Sequence, residues 1–433
     1  MHRDQSPVAR LPARCPYDWP VLVPSDDGPN RLKGVNGIRA LASIAVFVFH
    51  LLGSAHPSWY RGAIQRWSLQ LGPQGVAVFF TLSAFLLYRP YALRILANQP
   101  LPLMRNYFLR RSFRIFPGYW LALAGAAVLG SSGFHDRVDI VSSVFLVQTF
   151  RRLSEFVGVG VAWTLAIEVS FYIMLPIFAF AVRWAGSRLS TVRARLFVQV
   201  GGIVSFMGVG ASVRAWYLWQ HQTQLVVRGQ WFTVDAIQVS LPWFVECFAG
   251  GLALAVASAY AERSGHIWSP LRLLTHRSSL SWALALGVLA GAAQFRIGGF
   301  GAIPIGNAAT FLLVPIHGLC AFLFVLPAVF DDGDDDTIAR FLGARVMRSL
   351  GAISFGVYLW HLTLLRVMTH WVRDGTIHAP SLLLWIAFAV PATLIAASAS
   401  YLFVERPCIR ASHTFERRLR RTQRELHRPR TER

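Results

Sequence analysis

RALASIAVFVFH, residues 39–50, is an apolar run with a cation at one end and an imidazole at the other. A stretch this oily reads as part of a membrane span. An ionisable group inside a span is costly to place, so His50 points to a functional site. At ~1.5 Å of rise per residue the imidazole lies ~16 Å beyond Arg39, near the middle of a ~30 Å hydrocarbon core.

The rest of the chain reads the same way. Of its 433 residues 54% are hydrophobic and the mean hydropathy is +0.45, which excludes an ordinary soluble domain. Apolar runs long enough to cross a bilayer, or nearly so, fall at 37–53, 74–95, 115–130, 160–182, 196–219, 237–258, 279–295, 307–330, 350–372 and 381–404. The expected fold is therefore an all-α, polytopic transmembrane helix bundle of about ten spans. Residues 139–150, DIVSSVFLVQTF, are apolar but too short to cross and read as re-entrant or interfacial.

The formal net charge of +21 does not call for nucleic acid, because the cations sit in loops between spans. Arg105, Arg110, Arg111 and Arg114 follow the second span, and Arg183, Arg188, Arg193 and Arg195 the fourth. Arg263, Arg272 and Arg277 follow the sixth, and Arg340, Arg345 and Arg348 the eighth. Every other loop is thus basic, and ten arginines lie between residues 406 and 433. The positive-inside rule then puts both termini in the cytoplasm, as expected of an inner (plasma) membrane protein, with loops 54–73 and 220–236 facing out. Residues 1–33 lack the short apolar core and cleavage site of a signal peptide and read as a cytoplasmic tail. Residues 34–408 read as the transmembrane domain and 409–433 as a basic tail. Cys15, Cys247, Cys320 and Cys408 are scattered without metal-ligand spacing, and DDGDDD at 331–336 lacks the spacing of a calcium loop, so no metal is expected.

With orientation set, depth follows. His50 and His361 each lie about eleven residues in from a cytoplasmic end, at ~16 Å. Ser83 in FFTLSAFLL and Glu168 in WTLAIEVSFY lie eight or nine residues from an outer end, at ~13 Å. Two imidazoles, a carboxylate and a hydroxyl are therefore expected in one layer. Each also has a packing alternative: Ser83 as a serine bonded to its own i−4 carbonyl or easing helix approach, the histidines as interhelical hydrogen-bond residues. A carboxylate facing lipid costs ~2.5 kcal/mol or more, so Glu168 needs a cavity or a partner. In MRNYFLRRSFRIFPGYW, residues 104–120, Arg110 and Arg114 share a helical face beside Arg111, on what reads as an interfacial helix at the cytoplasmic boundary near Arg39. Clustered guanidiniums suit a phosphate-rich ligand, and equally an anchor to anionic lipid.

The segments GIRALASIAVFVFH, GVAVFFTLSAFLL, FLRRSFRIFPGYW, WTLAIEVSFYIMLPI, LPWFVECFAGGLA, ISFGVYLWHLTLL and FVERP occur in this order across roughly residues 34–408. In them the chain resembles the bacterial integral-membrane acyltransferase family 3, O-acyltransferases that modify sugars, surface polysaccharides, lipids and some antibiotics. The resemblance implies that Arg39 and His50 are an essential pair, that Arg110, Arg111 and Arg114 form a basic motif, and that Glu168 and His361 each belong to a motif of their own. Asn36, Ala77 and Ala84 depart from the family, which often has Asp, an acidic residue and Gly there. A fused esterase-like domain is not expected, which makes this a stand-alone transmembrane enzyme.

The expected chemistry follows from that resemblance. The phosphates of a cytoplasmic acyl-CoA donor rest on Arg110, Arg111 and Arg114, with Arg39 at the mouth, and the pantetheine arm reaches the histidines. His50 acts as general base on an acceptor hydroxyl, Glu168 fixes its tautomer or stabilises its cation, His361 donates to the oxyanion, and Ser83 sits with them. An acyl-histidine relay is the alternative to direct transfer. The implied partners are acyl-CoA, a hydroxyl-bearing acceptor and membrane lipid, without nucleic acid or metal. The rival class is a transporter or flippase, since midplane ionisable residues also serve proton relays, although no duplicated half with Gly/Pro-broken spans is visible.

Overall fold

The computed structural model describes residues 33–150, 156–220, 236–265, 268–294, 308–330 and 337–415, all within one compact unit of residues 31–433. The expected N-terminal tail up to residue 32, most of the loop 220–236, the acidic run 331–336, Cys15 and the basic end from 416 lie outside the described residues.

Thirteen α-helices follow in order: α1 Lys33–Ala55, α2 Gly62–Leu96, α3 Met104–Val128, α4 Arg137–Val144, α5 Trp163–Ala185, α6 Val192–Gln220, α7 Val245–Ser264, α8 Ser269–His276, α9 Ser278–Gln294, α10 Ala308–Val329, α11 Thr337–Gly343, α12 Arg345–Arg373 and α13 Leu382–Ser400. Among the described residues there is no strand. Each of the ten apolar runs falls on a helix, and eight helices are long and apolar enough to cross a membrane. The other two are α3, which carries four arginines, and α9, which has 17 residues. The chain is a multi-pass, all-α membrane protein. Its outer surface agrees: Trp184, Phe403, Phe197 and Ile395 are 69–78% exposed, as side chains solvated by lipid tails are.

Two expectations change in detail. The basic motif does not form a separate interfacial helix; it is the first half of α3, which continues through Pro117 into the apolar second half. Close packing stabilises this run, with Gly118 against Glu405 and Phe355. The span expected from residue 160 starts as a helix only at Trp163, because residues 157–162 enter as buried, non-helical chain, with Gly158 at φ +75°. Residues 139–150, by contrast, are too short to cross, as expected: α4 and a single 3₁₀ turn. Val138, Ile140, Val141 and Phe145 point outward while Asp139, Ser142 and Ser143 are buried, an inverted polarity that suits an apolar environment. Tyr119 and Trp120 of α3 tie α4 down by donating to the carbonyls of Ser143 (2.6 Å) and Val144 (3.0 Å).

α1 is held between α2 and α12. Its approach to α12 requires Gly351, where a Cβ would lie 2.1 Å from the carbonyl oxygen of Asn36. α1 and α12 pack along this face, and His50 and His361 meet further along it. On the other side, Phe248 of α7 stacks on Phe80 of α2 and Phe171 of α5, with ring centroids 4.5 and 4.2 Å apart. Aromatic stacking of this kind adds to the packing that holds α2, α5 and α7 in place around the site.

Candidate active site

His50 and His361 meet inside the bundle. Nε2 of His361 lies 3.1 Å from Nδ1 of His50, and the rings are 5.0 Å apart at 51°. Nδ1 of His361 is 3.0 Å from the carbonyl of Val357, and Nδ1 of His50 is 3.0 Å from that of Val46. A carbonyl only accepts, so in the neutral pair His361 carries its hydrogen on Nδ1 and donates to Val357, which leaves its Nε2 as an acceptor. His50 likewise carries its hydrogen on Nδ1, shared between Val46 O and His361 Nε2. Its Nε2 is then the lone-pair nitrogen. Phe47, Phe49 and Tyr358 pack their rings around the pair, and His361 is fully buried while His50 keeps part of its surface accessible.

Ser83 and Glu168 also meet, but not at the histidines. Ser83 Oγ donates to Glu168 Oε1 instead of to its own i−4 carbonyl, and Tyr172, one turn further along α5, hydrogen-bonds the same carboxylate. The electrostatic neighbours of Glu168 are Arg39 and Arg114, whereas the charge that acts on His50 is that of Arg366. The four residues thus form two hydrogen-bonded pairs, and Tyr358 stands between them: its ring is 5.9 Å from that of His361 and its hydroxyl is under the electrostatic influence of Glu168. Tautomer fixing, expected of Glu168, falls geometrically to His361 and Val46 O.

In the basic motif, the Arg111 guanidinium lies 5.8 Å from the Tyr172 ring centroid, and Arg114 acts on Tyr172, Glu168 and Glu405. Arg110 acts on Tyr91 of α2. Arg39 of α1 shares the carboxylates with Arg114, and Arg39, Arg111, Arg114 and Glu168 all retain accessible surface within the bundle.

Glu405 is a residue that reading the sequence for chemistry missed, though it stands in the FVERP segment. It is buried, accepts from Ser400 Oγ at 2.9 Å, and sits on a π-helical turn, Tyr401–Glu405. Tyr172 was missed too, and its i+4 spacing from Glu168 was the available signal. Among the described residues no three His, Cys, Asp or Glu side chains converge as metal ligands would.

The sequence profile of a family described as "Acyltransferase domain" matches residues 32–403. The chain belongs to this acyltransferase family. Relatives of this acyltransferase include the peptidoglycan O-acetyltransferase OatA of Listeria monocytogenes, 25% identical over 403 residues, which covers 87% of this chain and 55% of the relative. The putative peptidoglycan O-acetyltransferase YrhL of Bacillus subtilis is 25% identical over 401 residues, covering 87% and 54%. The putative acetyltransferase ORF330 of Acidianus two-tailed virus is 24% identical over 343 residues, covering 75% and 81%. The acyltransferase described here thus spans about half the length of the first two. No solved structure matches the chain.

Proposed function

We propose that this acyltransferase moves an acetyl or other short acyl group from cytoplasmic acyl-CoA to a hydroxyl group of a carbohydrate, lipid-linked or small-molecule acceptor, in the inner membrane. The observation that carries the reading is the His50–His361 pair, joined within the bundle and eleven residues along α1 from Arg39. Two relatives with peptidoglycan O-acetyltransferase in their printed names support a carbohydrate acceptor.

Arg39, Arg111 and Arg114 receive the donor's phosphates, with Arg110 nearer the entrance. An extended pantetheine arm, comparable to five or six residues of chain, reaches ~15–20 Å, about the rise from Arg39 to His50. His50 Nε2 removes the proton from the acceptor hydroxyl as its oxygen attacks the thioester carbonyl. The imidazolium so formed is stabilised because its Nδ1–H already points at His361 Nε2. Collapse of the tetrahedral adduct breaks the C–S bond, and the proton on His50 Nε2 goes to the leaving sulfur, giving the ester and free thiol. Glu168, held by Ser83 and Tyr172, balances the arginines so that the donor meets a cluster of defined charge.

The test is thioester consumption in membranes carrying wild type, His50→Ala or Arg39→Ala at matched expression. Wild type should consume acyl-CoA and His50→Ala should not, while Arg39→Ala should need more donor. A wild-type protein that leaves acyl-CoA intact while moving protons or a solute across the membrane would overturn the reading in favour of transport.

A further inference from the structure

Residues 157–162 are unusual for this molecule: non-helical backbone buried in a membrane bundle, with Val159, Val161 and Ala162 at 0–2% exposure. Irregular chain at such a place persists only where protein satisfies its polar groups or where it lines a cavity. Here α12 supplies partners. Tyr358 Oη lies 3.3 Å and Thr164 Oγ1 3.0 Å from Val161 O, and the two hydroxyls are 2.7 Å apart, so one of them donates to the other and the other to the carbonyl. Arg366 reaches two stretches at once, donating from one guanidinium nitrogen to Ser131 O and from the other to Phe156 O, each at 3.2 Å. Gly158 N–H closes the two stretches together on Ser132 O at 2.6 Å. Gly160 leaves no room for a side chain: a Cβ there would lie 2.4 Å from an Arg366 nitrogen and 2.9 Å from Leu362.

Tyr358, His361, Leu362 and Arg366 share one face of α12, at i, i+3, i+4 and i+8. The two clamping residues therefore bracket the histidine, and the guanidinium is the charge that His50 senses.

We infer that Arg366 is a positioning residue: by gripping Ser131 and Phe156 it holds the buried 157–162 strap as a wall against the α12 face that carries His361, and so fixes how the acceptor hydroxyl reaches His50. The inference rests on the proposed transferase reading for its acceptor, but the wall itself is testable without activity. A lysine cannot replace the guanidinium, because a single ammonium does not span two carbonyls from two stretches.

The first experiment places a cysteine at position 50 (His50→Cys) and follows labelling by a membrane-impermeant maleimide added from outside, with and without Arg366→Gln and, separately, Gly160→Ala, which wedges a methyl group into the grip. The chain without a cysteine at 50 controls for the native thiols. Labelling should be slow with the grip intact and at least about tenfold faster in either double variant, the scale of losing one charge-assisted hydrogen bond. Equal rates overturn the inference. The second experiment uses His50-containing protein and separates acceptor KM from donor KM. Arg366→Lys and Gly160→Ala should raise acceptor KM by about tenfold and increase loss of the acyl group to water, with donor KM unchanged. A uniform fall in kcat, or a change confined to donor KM, overturns it. Faster labelling in a protein whose wild type never consumes acyl-CoA sinks the transferase reading and leaves the wall standing.

Discussion

The bundle holds two sets of buried arginine and carboxylate, and they are built differently. On α6 and α7, Arg214 and Glu246 form a sealed pair: Arg214 is fully buried, donates to both oxygens of Glu246 and to Trp243 O at 3.0 Å, and lies 5.4 Å from the Phe311 ring centroid. Across the bundle, Arg39 and Arg114 share Glu168 and Glu405 through space, with Arg111 beside Arg114, and all three arginines keep part of their surface accessible. The first arrangement is what low dielectric demands of a structural charge. The second leaves more cations than carboxylates, the arrangement that the proposed function uses for an anionic donor. Charge in a membrane bundle is therefore not enough to mark a site; incomplete pairing with accessible surface marks it better.

The contrast is broken or sharpened by substitution. The largest effect is expected at the histidines, where His50→Ala removes the proposed general base and should lower kcat by ~10²–10⁴-fold in an intact protein, read by donor consumption in detergent-purified samples. Next, Arg214→Met strands a buried carboxylate and should cost ~3–5 kcal/mol, seen as a lower unfolding temperature and yield. The KM for the proposed donor in the surviving fraction should not move. The double change Arg214→Met with Glu246→Leu should recover most of that stability, and a failure to recover would mean the pair is not merely sealed. Arg114→Lys should do the reverse of Arg214→Met, leaving thermal stability near wild type and raising donor KM about tenfold, because a point charge replaces a fork. The smallest effect is expected at Ser83→Ala, which removes one hydrogen bond to Glu168. A loss of up to about tenfold, ~1.5 kcal/mol, is expected in kcat/KM, and no loss at all would remove Ser83 from the site.

Much of this was legible before any coordinates. Each of the ten hydrophobic runs proved to lie on a helix, since the requirement to satisfy backbone groups in lipid leaves the chain little choice. The meeting of His50 with His361, and of Ser83 with Glu168, was foreshadowed by depth, because residue number along a span is a ruler. The pattern failed where the chain leaves the helix. Residues 157–162 are apolar enough to be counted into a span, and only the glycines at 158 and 160 hinted otherwise. Rotation was harder still. Arg110 and Arg111 are adjacent in sequence yet act on different helices, and which helix each meets depends on how α3 is turned about its axis, a packing outcome without a local signature. Arg214 and Glu246 are far apart in sequence and gave no pattern at all.

The π-helical turn at Tyr401–Glu405 gives the C-terminal segment a phase of its own. Such a turn is what an α-helix becomes when it accommodates one extra residue. Deleting a single residue there, at Leu402 for example, would let the chain relax to an ordinary helix and carry everything beyond it back by one position, ~100° around the axis. Glu405 would swing away from Arg39 and Arg114 although no charge had been altered. For this protein, then, a one-residue length change near its C-terminal end is expected to act at the arginine cluster, and variants should be read for insertions and deletions at 401–405 as closely as for substitutions.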